Sequence, residues 1–277
     1  MIVDAHTHIF PPEVVSNRQR FTAANPEFAA IYSDPTAPMA TAEQLLGYMD
    51  NQGVDRAWVV GFPWREEAHA REHNDYLAEV ARTSGGRIKA LGGFWPGASW
   101  ARREAERVLG MGMAGLGELA YYGQNLDTKA LGKICALAAE AGAIVMLHTN
   151  EPVGHRYPGK APMTLAALYE LIKANPATRL VLAHMGGGIF FYCLMKREVR
   201  EVLANCWLDT AAAPFLYRPR AYALAVELMG AEKILLGTDY PLLGISRYRR
   251  ELTHPEAGLG KEELKWILGR AAEQLIP

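Results

Sequence analysis

Ile2-Val3-Asp4-Ala5-His6-Thr7-His8 opens the chain with a short apolar run that ends in polar residues. Reading that run as a β-strand decides the fold, because the arrangement recurs. Further β-rich apolar runs fall at residues 54–62, 87–95, 113–119, 143–148, 179–184, 206–210 and 233–239. Between them, segments with helical periodicity lie at 41–52, 66–83, 100–109, 129–141, 164–174, 190–203 and 220–229, and one at 261–274 closes the series. Strands alternating with helices give βα units and a parallel sheet. Eight such units predict an α/β fold, a (β/α)8 TIM barrel; a doubly wound open sheet is the alternative that the pattern leaves open.

The length of 277 residues suits two average domains or one barrel, since barrels of this kind use about 250 residues. No internal repeat, low-complexity tract or linker composition divides the chain, so residues 1–277 are expected to form a single domain. Residues 10–40 break the rhythm, carrying Pro, Asn and Ser without a sustained period. They are expected to form a long loop or lid over the end of the first strand.

Half of the residues are hydrophobic and 21% are charged, ordinary globular usage that excludes a disordered or fibrous chain. Lys and Arg total 29 against 30 for Asp and Glu, so no global positive field attracts a nucleic acid or an anionic membrane, and neither is expected as a partner. The expected partner is a small-molecule substrate. Cys135, Cys193 and Cys206 are odd in number and sit in apolar segments, a pattern of free thiols that predicts a cytoplasmic protein. No apolar run reaches membrane-spanning length, and the N-terminus lacks the basic and apolar regions of an export signal.

The polar residues that end these strands carry the chemistry. Period-2 geometry brings His6 and His8 to one face. Later strands end in Glu118, His148, His184 and Asp239. A single polar residue at a strand end simply meets water. Four histidines and two carboxylates at one rim, the rim where barrel active sites are built, predict a shared metal site. Imidazole and carboxylate without clustered thiolate point to zinc first, with manganese, iron or cobalt as other occupants.

The Asp4-Ala5-His6-Thr7-His8 start, the later His148 and His184, and Gly237-Thr238-Asp239-Tyr240-Pro241 resemble the amidohydrolase superfamily. The similarity is strongest to its amidohydrolase-related branch, which holds aminocarboxymuconate-semialdehyde decarboxylase-like enzymes and metal-dependent hydrolases. The resemblance implies that His6, His8, His148 and Asp239 hold the metal and that His184 is the catalytic histidine beside it. It also implies a homodimer. Glu118 departs from the mononuclear decarboxylase pattern and is similar to the strand-four glutamate of the TatD-like branch, which bridges two metals. One ion, or two bridged by Glu118, therefore remain open.

The main expectation is a hydrolase acting on a small carboxylated, aromatic or lactone substrate through a metal-activated water, with Asp239 moving the proton and His184 stabilising the developing oxyanion. A non-oxidative decarboxylase of the aminocarboxymuconate-semialdehyde type and a TatD-like nuclease are the alternatives. For substrate contacts, the loop after His148 offers Asn150, His155, Tyr157 and Lys160, and the end of the second strand offers Arg65. Aromatic residues with one or two cations suit a planar carboxylate. Met185-Gly186-Gly187-Gly188 follows His184 and either opens a helix whose amides receive an anion or only permits a tight turn.

Three other signals are set aside. Gly110-Met111-Gly112-Met113-Ala114-Gly115 matches the dinucleotide fingerprint, but a helix precedes it and a strand follows, the reverse of what pyrophosphate binding needs. His69-Ala70-Arg71-Glu72-His73 has zinc-peptidase spacing on a helix crowded with charge, which reads as a solvated face. Asp209 ends the seventh strand and is expected to support the site by hydrogen bonding.

Overall fold

The computed structural model describes residues 1–277. Its eight strands are β1 (Val3–Thr7), β2 (Arg56–Val60), β3 (Ile88–Gly92), β4 (Gly115–Leu119), β5 (Ile144–Leu147), β6 (Arg179–Leu182), β7 (Cys206–Asp209) and β8 (Ile234–Leu235). They form one sheet in sequence order, with every ladder parallel. Backbone bonds from Ala5 N to Leu236 O (2.7 Å) and His8 N to Tyr240 O (2.7 Å) join β1 to the chain leaving β8. The sheet therefore closes on itself, and the fold is a (β/α)8 barrel.

Alternation along the strands sorts the core into two bodies. Val3, Ala5, Trp58, Val60, Ile144, Met146 and Leu235 fill the barrel interior with Ala271, Ala272 and Leu275 of the last helix. A larger apolar layer lies between strands and helices, among it Leu45, Leu77, Val108, Leu131, Leu168 and Ala225. Helices recur where predicted, for instance Glu67–Thr83, Thr128–Glu140 and Arg220–Met229.

Two expectations change. Residues 10–40 are not one loop: Pro12–Ser16, Arg18–Ala24 and Pro26–Tyr32 are short helices. Each is at most two turns long, and the breaks at Asn17 and Asn25 erase any sustained period. They fold because tertiary burial of Val14, Phe21, Phe28 and Tyr32 replaces the stability that short helices lack. The predicted helix at 190–203 is also broken. Residues His184–Leu194 form a tight turn structure with left-handed φ at Met185, Gly186, Gly187 and Gly188, and an α-helix follows only at Arg197–Val202. The glycine run thus makes the tight turn, the second of its two readings, and no helix opens there to offer its amides to an anion.

Candidate active site

His148 arrives at the rim by plain alternation, continuing the inward face of Ile144 and Met146. The other groups need departures from regular strand. The ladder slips between Asp4 and Thr7 in β1, and between Leu116 and Leu119 in β4. These slips take His6 and Glu118 out of simple alternation. His184 and Asp239 have φ of 56° and 61°, left-handed values that cost a non-glycine residue roughly 1–2 kcal/mol. The other non-glycine residues with positive φ, Met185 and Ala212, follow these strand ends too. Strain gathered at one rim marks a functional site. Gly237 is required there, since a Cβ on it would stand 2.7 Å from the His6 Cβ.

The histidine tautomers follow from what lies behind each ring. His6 Nδ1 donates to Asp209 Oδ2 at 2.8 Å. Asp209 Oδ1 also accepts from the His184 and Ala211 amides (2.9 and 3.0 Å), so the expected supporting role of Asp209 is one of position as well as charge. His184 Nδ1 donates to Ala211 O and His148 Nε2 to Gly159 O, both at 3.0 Å. A carbonyl can only accept, so in the neutral ring the opposite nitrogen keeps its lone pair.

Those lone pairs converge on carboxylates. His6 Nε2 lies 3.1 Å from His8 Nε2, and His8 Nε2 lies 3.2 Å from Asp239 Oδ1. Glu118 stands between the two halves: Oε2 is 3.7 Å from both His6 and His8 Nε2, while Oε1 is 3.0 Å from His148 Nδ1 and 3.4 Å from His184 Nε2. His148 Nδ1 and His184 Nε2 face each other at 3.2 Å. Acceptors packed this closely repel unless positive charge sits among them. Burial disfavours the imidazolium of His6, yet the charges of Asp209 and Glu118 outweigh it and hold this histidine up at about 10. His184 is held at about 9, burial again being overcome, here by its hydrogen bond to Glu118. Burial would raise Asp239, but its hydrogen bond to His8 and the neighbouring imidazoles bring it down to about 2. Glu118, despite burial, is likewise held far below the ordinary range by His148 and His6.

This donor set fits a divalent cation. His6, His8 and Asp239 form one group of converging ligand atoms, and Glu118, His148 and His184 form a second. His8 Nδ1 is buried with no partner, so no protein group behind that ring fixes its tautomer.

A cavity of about 580 Å³ opens above these groups and is bordered by His8, Glu118, His148, His184 and Asp239. Its walls include Tyr32, Phe62, Tyr122 and Tyr157, with Phe215 and Leu216 further out. Of the five expected substrate contacts, His155 and Tyr157 line it. The other three are occupied elsewhere. Arg65 pairs with Glu27 and stacks over the Trp95 ring at 4.0 Å. Asn150 Oδ1 accepts from the Ala161 amide at 2.9 Å. Lys160 Nζ donates to Glu151 Oε1 (2.8 Å) and Val153 O (3.0 Å). A charged side chain in a loop finds the nearest acceptor, and nothing in the spacing of residues shows which acceptor that is. The segment expected as a lid does reach the site: Ile31, Tyr32, Asp34, Ala37 and Pro38 all border the cavity, though the sequence names none of them as a contact. Sequence reasoning missed Asp4 as a support: its carboxylate accepts from the Thr238 amide (2.9 Å) and hydroxyl (2.6 Å), fixing the turn that presents Asp239.

Comparison with known proteins places this site in a family. The family model described as amidohydrolase matches residues 3–277, and the chain belongs to that family. A 2-amino-3-carboxymuconate-6-semialdehyde decarboxylase from Dictyostelium discoideum is 26% identical over 201 residues, an alignment spanning 61% of this chain and 55% of the relative. Among solved structures, 5-carboxyvanillate decarboxylase from Sphingomonas paucimobilis aligns with a TM-score of 0.77 at 18% identity, covering 99% of this chain and 98% of the other. A dihydroxybenzoic acid decarboxylase from Polaromonas sp. JS666, with bound manganese and the inhibitor 2-nitroresorcinol, aligns with a TM-score of 0.72 at 17% identity over 99% and 96%. At these identities the structural likeness establishes the barrel.

Proposed function

We propose that the protein is a metal-dependent, non-oxidative decarboxylase of aromatic carboxylates. The observation that carries this reading is the set of inward lone pairs and carboxylates at the base of an aromatic-walled cavity, a seat for a cation beneath a slot for a planar ring. The similar proteins named above are decarboxylases, which moves the reading away from the hydrolase expected first.

His6, His8 and Asp239 would hold the ion, with Glu118 and His148 on the adjoining wall. The donors suit manganese as well as zinc. When bound, such an ion supplies a Lewis acid that draws charge from the substrate's carboxylate and ring oxygens. The protein groups account for the proton. Loss of carbon dioxide leaves the electron pair of the broken C–C bond on the ring carbon, which must take up H⁺. Asp239, held ionised by its imidazole neighbours, accepts a proton from a substrate hydroxyl or water and returns it to that carbon. His184, across the same cavity floor, turns Nε2 inward beside Glu118, where it can hydrogen-bond the substrate's carboxylate. The buried aromatic walls exclude water from the carbanion.

The test is to load the protein with manganese or zinc and follow carbon dioxide and acid release separately on hydroxybenzoates and on aromatic amides and lactones. Carbon dioxide from the hydroxybenzoates is the expected result. Hydrolysis of the amides or lactones without any carbon dioxide from the acids would return the site to the hydrolases.

A further inference from the structure

The cavity is graded from a charged floor to a mostly apolar outer half without Lys or Arg. Its floor is buried, and so are the rings next to it, Tyr32, Phe62 and Tyr122. Further out the lining is partly exposed and mostly apolar: Ile31, Pro38, Phe215, Leu216 and Leu242. No Lys or Arg borders the cavity anywhere. Three basic residues lie near the lining in the fold or along the chain, and none of them borders the cavity. Arg18 donates to the Asp34 carbonyl at 2.8 Å, Lys160 is held by Glu151, and Arg156 is exposed between two lining residues without lining the cavity itself. The outer half instead carries a carboxylate, Asp34, which its hydrogen bonds from Thr36 keep ionised. The volume, about 580 Å³, lies within the range of roughly 300–1,000 Å³ that encloses a drug-sized ligand, more than one ring and its carboxylate require.

We propose that this site takes an aromatic monocarboxylate bearing an apolar substituent remote from the carboxylate, and rejects substrates with a second anionic group. The first carboxylate goes to the floor, and here the inference rests on the decarboxylase reading. The substituent displaces water from Phe215, Leu216 and Leu242, where burial of apolar surface is favourable. A second carboxylate in the same place loses its hydration, finds neither Lys nor Arg but only the exposed His155 imidazole, and meets Asp34, so its transfer from water is poorly compensated. The 5-carboxyvanillate decarboxylase that shares the fold is named for a substrate with two carboxylates. The two proteins therefore differ in what the outer half of the cavity must accept.

Binding to the manganese-loaded protein, measured by calorimetry, tests this with three ligands that differ at one ring position: salicylate, 5-phenylsalicylate and 5-carboxysalicylate. The phenyl derivative should bind about tenfold or more tighter than salicylate, and the carboxy derivative about tenfold or more weaker. In Leu216→Arg, which places a cation on the outer wall, the gap between the phenyl and carboxy derivatives should narrow by about tenfold. Equal or tighter binding of 5-carboxysalicylate by the unsubstituted protein overturns the proposal, as does failure of all three to bind. Carbon dioxide release is scored apart from binding. The expected binding order without turnover supports the substrate class and removes the decarboxylase reading, while turnover with the reverse order does the opposite.

Discussion

Two regions of this barrel bury histidines, and they treat charge in opposite ways. At the rim, His6 and His184 turn one nitrogen to a protein acceptor and the other to carboxylates, and both are pushed up, to about 10 and about 9. Below the helices of residues 10–40, His73 is as deeply buried. Its Nε2 donates to Ile9 O at 2.8 Å, and its Nδ1 accepts from Trp64 Nε1 at 3.0 Å. Both nitrogens are satisfied by neutral groups, and burial pushes the ring down to about 4. Burial therefore does not make a histidine a ligand. What decides is whether the second nitrogen faces an acceptor that cannot give it a proton.

The strongest way to break that comparison is to remove charge from the rim without changing shape. Asp239→Asn keeps the side-chain volume but removes the carboxylate facing His8 and the group assigned to proton transfer. Decarboxylation should fall by about 10³-fold, checked as kcat on the metal-loaded variant. Activity within tenfold of the parent would remove Asp239 from the chemistry. A step back from the cavity, Asp209→Asn acts through His6 and His184. The amide can no longer balance the charge behind His6 Nδ1, and metal affinity should drop by about 10–100-fold, read by competition with a chelating dye. Unchanged affinity would mean that the tautomer of His6 is fixed by something other than Asp209.

The barrel and most of the rim were legible in the sequence because both rest on short-range pattern. An apolar run ending in His148 or Asp239 has a strand's period, and strand ends in a parallel barrel must share a rim. The remainder depends on contacts between distant residues. Nothing in Arg65 or Lys160 shows that Glu27 and Glu151 will engage them. Val14, Phe21 and Phe28 recur at intervals of seven residues, a helical signal that could have been read through the Asn breaks of residues 10–40; the place of that segment over the first strand's end was legible, while its helices went unread. His73 shows the limit most clearly. In a helix dense with Glu and Arg it reads as solvated, whereas the structure turns it inward to the carbonyl that directly follows His8.

His73→Gln sharpens the comparison with the smallest effect at the site. A glutamine can still donate to Ile9 O and accept from Trp64, so metal affinity should stay within about twofold of the parent, while stability changes its pH dependence. The unfolded histidine titrates near 6.5 and the folded one near 4. Between those values the unfolded chain binds more protons, and stability falls as pH drops through the window. At about 1.4 kcal/mol per unit, the contribution lost by pH 4 is roughly 3 kcal/mol at most. Asp4, pushed up to about 7 by burial, has the opposite sign over nearly the same range, because there the folded state binds the extra proton. The pH curve of the parent alone cannot isolate His73, so the measurement is the parent's urea-unfolding free energy minus the variant's, at pH 7 and again at pH 4.5. That difference should shrink, or reverse, on acidification, because only the parent carries a buried ring that resists protonation. A difference independent of pH would show that burial does not depress His73, and the contrast between the two regions would be lost.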